Sequence, residues 1–145
     1  MTMNRSDFRF LDRLRVRWAE VDMQKIVFNG HYLMYFDTAV GSYWRALAMP
    51  YAETMEYLGG DLFVRKSTLE YLGSARYDEL LTVCCRVAKL GRSSMTFLFE
   101  IYRDTEVLIS AELVYVNADS SMKAAPLPED LRGRVRKYER VAPQA

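Results

Sequence analysis

The stretch NGHYLMYFDTAVGSYWRALA (residues 29–48) decides the architecture of this chain. Its apolar residues recur at Tyr32, Phe36, Ala39, Tyr43 and Leu47, with Leu33, Val40 and Trp44 beside them. That is the three-and-four spacing of an amphipathic helix whose apolar face is broad, so the helix is expected to be mostly buried. Asn29 suits the capping position, where a side-chain oxygen accepts an otherwise orphaned backbone N–H, and Pro50 sets a limit at the other end. The helix is expected from about Gly30 to about Ala48.

On the N-terminal side, Arg13 to Trp18 alternates polar with apolar residues, the period of a half-buried strand, and this alternation stops at Ala19-Glu20-Val21-Asp22. Met23 to Phe28 reads as irregular. On the C-terminal side, after Gly59-Gly60, four strand-like runs follow: Leu62 to Leu72, Leu80 to Leu90, Ser94 to Tyr102 and Val107 to Val116. The connections Gly91-Arg92-Ser93 and Arg103-Asp104-Thr105 are short enough for hairpins, so the last three runs predict an antiparallel meander. Met95, Phe97, Phe99 and Ile101 fall on one face of the third run; Thr96, Glu100 and Tyr102 fall on the other. The apolar face needs an apolar partner, and the long helix is the one element with enough surface to supply it. The expected class is therefore α+β, an antiparallel sheet wrapped around one central helix. Pro126 and Pro128 followed by acidic residues, then a basic run, predict a short terminal helix over about 129–140, with charges matching the helix dipole.

The 145 residues have the length of one domain, and neither a repeat nor a linker interrupts them. Twenty Lys and Arg against nineteen Asp and Glu leave a formal charge of +1, which gives no strong field to recruit nucleic acid or an anionic membrane. No apolar run approaches a membrane span, and the polar N-terminus lacks the pattern of a secretion signal. Cys84 and Cys85 are adjacent within an alternating run, so their side chains point to opposite faces and do not bridge; a reducing cytoplasm fits best. One histidine and this cysteine pair do not furnish a usual metal-binding set, and no Gly-rich phosphate loop or serine elbow is visible.

One place gathers several chemical cues. Asp22 ends a strand, a short loop follows, and a helix begins at Asn29-Gly30-His31. A helix N-terminus presents unpaired N–H groups and a partial positive charge suited to an oxyanion, and a carboxylate can act as nucleophile or base on the other side of a carbonyl. Strand-ending aspartates also commonly cap turns, and these cues alone weigh the two roles equally.

The segment RWAEVDMQKIVFNGHYLMYFD (residues 17–37) resembles the opening signature of the 4-hydroxybenzoyl-CoA thioesterase family, including its branch of small acyl-CoA thioesterases associated with the Tol-Pal system. ARYDELL (75–81) and LGRSS (90–94) resemble later turns of that family, and the likeness covers roughly 13–116. The resemblance implies a hotdog fold over the single domain 1–145 and hydrolysis of an acyl-CoA thioester. It makes Asp22 the nucleophile or general base and the backbone N–H of Asn29 the donor that polarises the carbonyl. It puts Arg92, with Lys89 in reserve, where CoA phosphates bind. Beside the resemblance, Gly30, His31 and Tyr32 are expected at the substrate, and the Tyr and Phe stripe of the helix reads most simply as core, with Tyr32 and Tyr35 among the rings that also line an acyl channel. No cofactor is implied, CoA being part of the substrate. The hotdog resemblance also implies a homodimer or homotetramer, because two such sheets join edge to edge.

The family often has glycine where this chain has Lys25, and a lysine resists the backbone angles a glycine permits, which opens a different loop path and a reshaped pocket. His31 is expected to line the pocket or hydrogen-bond there and not to act in acid–base chemistry. Glu70 and Glu79 are reserve carboxylates. The competing readings are a hotdog hydratase or dehydratase, for which the chain shows no Asn-Pro-x-x-His segment, and a non-catalytic acyl-CoA-binding protein.

Overall fold

The structure is a computed structural model and describes residues 4–145. A short 3-10 turn at Arg5–Asp7 leads into β1 (Phe10–Arg15), and a second at Trp18–Glu20 leads toward α1 (His31–Ala46). Then come α2 (Tyr51–Leu58), β2 (Asp61–Tyr71), β3 (Leu80–Leu90), β4 (Ser94–Arg103), β5 (Glu106–Ala118) and α3 (Glu129–Tyr138). The strands form one antiparallel sheet in the order β1-β3-β4-β5-β2. With α1 held against one face, this is the hotdog arrangement.

The alternation of β4 decides that packing. Met95, Phe97, Phe99 and Ile101 are fully buried against α1, with the rings of Phe36 and Phe99 4.5 Å apart and those of Tyr43 and Phe97 5.4 Å apart. The opposite face is less solvated than its composition suggests. Phe8, from the segment ahead of β1, covers Cys84 and Tyr102 there, while Cys85 faces the main core. The two cysteines are thus free thiols on opposite faces.

Several boundaries depart from the expectations for identifiable reasons. The first strand stops at Arg15 and not near Trp18, because the backbone N–H of Arg17, which a ladder would use, is taken by the Glu20 carboxylate at 2.8 Å. Helix α1 is capped by Gly30, itself in right-handed helical geometry, one residue later than the expected Asn29. The eight residues of α2 are too few for a period to stand out; Pro50 begins the helix and Gly59, at φ +73°, closes it in the left-handed conformation glycine tolerates. Helix α3 ends at Tyr138 and not near Arg140, because Glu139 turns inward. Its carboxylate accepts the Tyr43 hydroxyl at 2.6 Å and the Val87 N–H at 2.9 Å, pinning the chain to β3 where β1 no longer covers it. Burial pushes the Glu139 carboxyl above the usual range.

Strand β2 is an edge of the sheet, and most of its eleven residues are exposed, Phe63, Val64 and Tyr71 among them. Among the described residues no helix is long and apolar enough to cross a membrane.

Candidate active site

Asp22 sits in a small hairpin between β1 and α1. Val21 bridges Val27, the N–H of Asp22 donates to Ile26 O at 3.0 Å, and the N–H of Lys25 donates to Asp22 O at 2.9 Å, so residues 22–25 form a tight turn. The next rung is the Phe28 N–H, donated to Glu20 O at 3.0 Å. The segment expected to be irregular is therefore a defined ribbon. Lys25 carries it at φ +66°, so this chain places a lysine in left-handed geometry, which costs on the order of 1 kcal/mol.

The turn-capping role expected for Asp22 is present and leaves one carboxylate oxygen over. Its Oδ1 accepts the Gln24 N–H at 2.8 Å, which is the turn-capping role, while Oδ2 has no protein partner among the described residues. Beyond the ribbon, the backbone N–H groups of Asn29 and Gly30 likewise donate to no protein group among the described residues, and α1 starts directly after them. Asn29 lies three residues past Ile26, about 10 Å along an extended chain, and Ile26 is the ladder neighbour of Asp22 across about 5 Å, so the two backbones are at most roughly 15 Å apart. A carboxylate oxygen and a pair of backbone donors without protein partners among the described residues thus lie on one short ribbon ahead of α1.

The ribbon is backed on two sides. The Val27 N–H donates to Ala75 O at 2.9 Å, and Tyr32 accepts the Ala75 N–H on its hydroxyl at 3.1 Å. Glu79 does not reach the site: it accepts the Arg76 N–H at 2.6 Å and pairs with Arg103 at 2.9 Å, which locks the turn behind the ribbon. On the other side stands Glu20, only 3% exposed, a residue the sequence reading passed over. It takes the Arg17 guanidinium at 2.6 and 2.8 Å and the Tyr35 hydroxyl at 2.8 Å. Burial alone would raise its carboxyl, but the hydrogen bonds from Arg17 and Tyr35 outweigh it and hold the group below the usual range. The only signal in the sequence is an arginine three residues before a glutamate, which is too common to single it out.

The remaining expected residues divide. His31 is half-buried with its ring edge-on to Phe28 at 5.8 Å, at the start of α1 and close to the free N–H groups. A side chain on Gly30 would meet the Phe28 ring at 3.0 Å. Tyr32 and Tyr35 lie in the core with both hydroxyls engaged, and Tyr71 packs 6.0 Å from the Tyr32 ring. Burial raises the Tyr35 phenol, with Glu20 adding to the shift. Around the ribbon Trp18, Met23, Phe28, Leu72 and Tyr77 leave an exposed apolar surface, with Trp18 edge-on to Tyr77 at 5.3 Å.

Arg92 and Lys89 are not brought to Asp22 within the chain. The ribbon lies by the start of β3, where the Val16 N–H donates to Glu79 O, and Arg92 follows the end of that strand, roughly 30 Å away. Lys89 lines a groove on the sheet face away from α1, together with Glu70, Arg86 and Glu112.

Comparison with known proteins bears on the family and the fold. The profile described as Thioesterase superfamily matches residues 24–110, beginning two positions after Asp22. A protein of Aquifex aeolicus is 30% identical over 95 residues, 66% of this chain and 73% of that protein. The acyl-CoA thioesterase YbgC of Haemophilus influenzae is 24% identical over 120 residues, 82% of this chain and 88% of its own. Among solved structures, a Staphylococcus aureus protein in complex with CoA superposes with a TM-score of 0.83 at 14% identity, over 94% of this chain and 87% of that one.

Proposed function

As this chain belongs to the Thioesterase superfamily, we propose that it hydrolyses an acyl-CoA thioester to the free acid and CoA, with Asp22 as the reacting carboxylate. The observation that carries this reading is that one short ribbon ahead of α1 holds both an unpartnered oxygen of Asp22 and the unpartnered N–H groups of Asn29 and Gly30. The thioester carbonyl sits between them, its oxygen toward the Asn29 N–H, where the dipole of α1 adds to the stabilisation of the developing oxyanion.

Two routes use this geometry. In one, Asp22 attacks the carbonyl carbon, the tetrahedral oxyanion collapses, the carbon–sulfur bond breaks to release the CoA thiolate, and water then cleaves the mixed anhydride. In the other, Asp22 takes a proton from water as the water attacks, and the same bond breaks. Both give the same products and need no cofactor. Release of free CoA from acetyl-, octanoyl- and benzoyl-CoA tests the activity. A chain that binds these thioesters and releases no CoA would instead be a binding protein. Single turnover in labelled water tests the first route, since label on the Asp22 carboxylate arises only from an anhydride opened by water at the Asp22 carbonyl carbon; opening at the acyl carbon puts the label in the acid, as the second route does.

The working unit is a dimer formed through β2. A long edge strand with exposed apolar residues is a ready template for pairing with a second copy. An antiparallel β2 pair has a further consequence. Asp61 lies at the Arg92 end of the sheet and Tyr71 at the Asp22 end, so antiparallel pairing carries the partner's β3–β4 turn toward the Asp22 ribbon. This supports a shared site in which Arg92 of the partner subunit takes the CoA phosphates. Arg92→Ala is then expected to raise KM with a smaller change in kcat, and added salt to weaken wild-type binding more than the variant's. Equal salt sensitivity would reduce Arg92 to a solvated turn residue. Light-scattering mass should correspond to at least two chains, and a fully active single chain would exclude the shared site. Two unpaired cysteines fit a place in the reducing cytoplasm.

A further inference from the structure

We propose that Glu20 is a positioning residue for this reaction, a buried carboxylate that sets the Asp22 ribbon against the first turns of α1; the inference rests on the reading of Asp22 as the reacting group. Three separate pieces of the chain meet on this one residue. Its carboxylate holds Arg17, at the exit from β1, through the backbone N–H and the guanidinium. The same carboxylate holds α1 through the Tyr35 hydroxyl. Its backbone carbonyl closes the ribbon by accepting the Phe28 N–H, one residue before the free donor at Asn29.

Such a residue is costly unless it does something. A carboxylate buried to this degree must be matched by donors, and a hydrophobic residue of similar size would fill the space without that demand. What the hydrogen bonds add is direction. They fix the rotation of α1 about Tyr35 relative to the ribbon, and hence, within the span the ribbon allows, the aim and distance of the Asn29 N–H from the Asp22 carboxylate. Reactions of this kind are sensitive to that distance, because a displacement of about 1 Å can cost on the order of 100-fold in rate. Glu20 itself faces Arg17 and Tyr35 and does not touch the gap, so its effect passes through Asp22 and Asn29.

Glu20→Gln keeps the length of the side chain but loses the ion pair with Arg17, and Tyr35→Phe removes the donor on α1. Each is expected to lower kcat by about tenfold or more, with KM within about threefold of wild type, when assayed on benzoyl-CoA and octanoyl-CoA well below the unfolding midpoint. The double variant is expected to lose little beyond the worse single one, because both changes act on the one carboxylate that joins Arg17 to Tyr35. A purely structural role predicts the opposite: a lowered midpoint, full kcat in the folded protein and additive losses. That result, or a raised KM with unchanged kcat, overturns the proposal. Asp22→Asn run in parallel keeps the two ideas apart. If it abolishes turnover while Glu20→Gln and Tyr35→Phe remain fully active, the positioning role alone fails; if Asp22→Asn turns over normally, the assignment of Asp22 fails.

Discussion

Asp22→Asn is expected to lower kcat by about 10²- to 10⁴-fold while leaving KM and the unfolding midpoint close to wild type. Asparagine keeps the shape of the side chain and an oxygen able to accept the Gln24 N–H, so the turn at 22–25 survives the exchange. What disappears is the negative charge and with it both the nucleophile and the base. The donors at Asn29 and Gly30 are backbone groups and remain, so the variant should still bind thioester and hold its carbonyl. Steady-state CoA release with a binding measurement on the same preparation checks this. Hydrolysis comparable to wild type would move the chemistry to another group, and a variant that neither binds nor folds would make Asp22 a structural residue only.

The second large effect lies in the core. Phe97→Ala is expected to destabilise the fold by about 3–5 kcal/mol, read as a shift in denaturant midpoint at fixed chain concentration. Phe97 is fully buried at the centre of β4, and its ring meets those of Tyr43, Trp44, Phe99 and Tyr115. Removing it leaves a cavity walled by large rings, which are held from three elements and have little freedom to collapse inward. A loss below about 1 kcal/mol would mean that the sheet and α1 are not closed on each other at this point.

Phe97 also illustrates why the fold was legible. Its place in a run of alternating apolar residues follows from a period of two, and the face of α1 it meets follows from a period near 3.6; both are local patterns and survive in a bare sequence. The position of Asp22 between strand and helix was legible for the same reason, and the turn chemistry of β3–β4 and β4–β5 placed the meander. Lys25 and Glu20 were not readable in this way. The glycine that the family often has at Lys25 marked the position, but the expectation that a lysine would resist glycine-like angles does not hold at φ +66°; the residue is held there by the Val21–Val27 bridge and the hydrogen bonds of the ribbon. Glu20 looked like an ordinary acidic residue because its partners are a hydroxyl fifteen positions later and a backbone rung eight positions later.

The sequence by itself determined the elements that repeat: the central helix, the strands with one apolar face and the carboxylate that precedes the helix. Those features depend on side-chain spacing along one segment, where the energetics of burial follow directly from the period. Only the tertiary structure decided that Arg92 stands a full strand length from Asp22, that Tyr35 is tied to Glu20, and that Glu139 turns inward to close α3 against β3. Each of these depends on contacts between residues distant in the chain. Such contacts are fixed by the geometry of packed layers, and no local pattern of residues encodes which hydroxyl will meet which carboxylate.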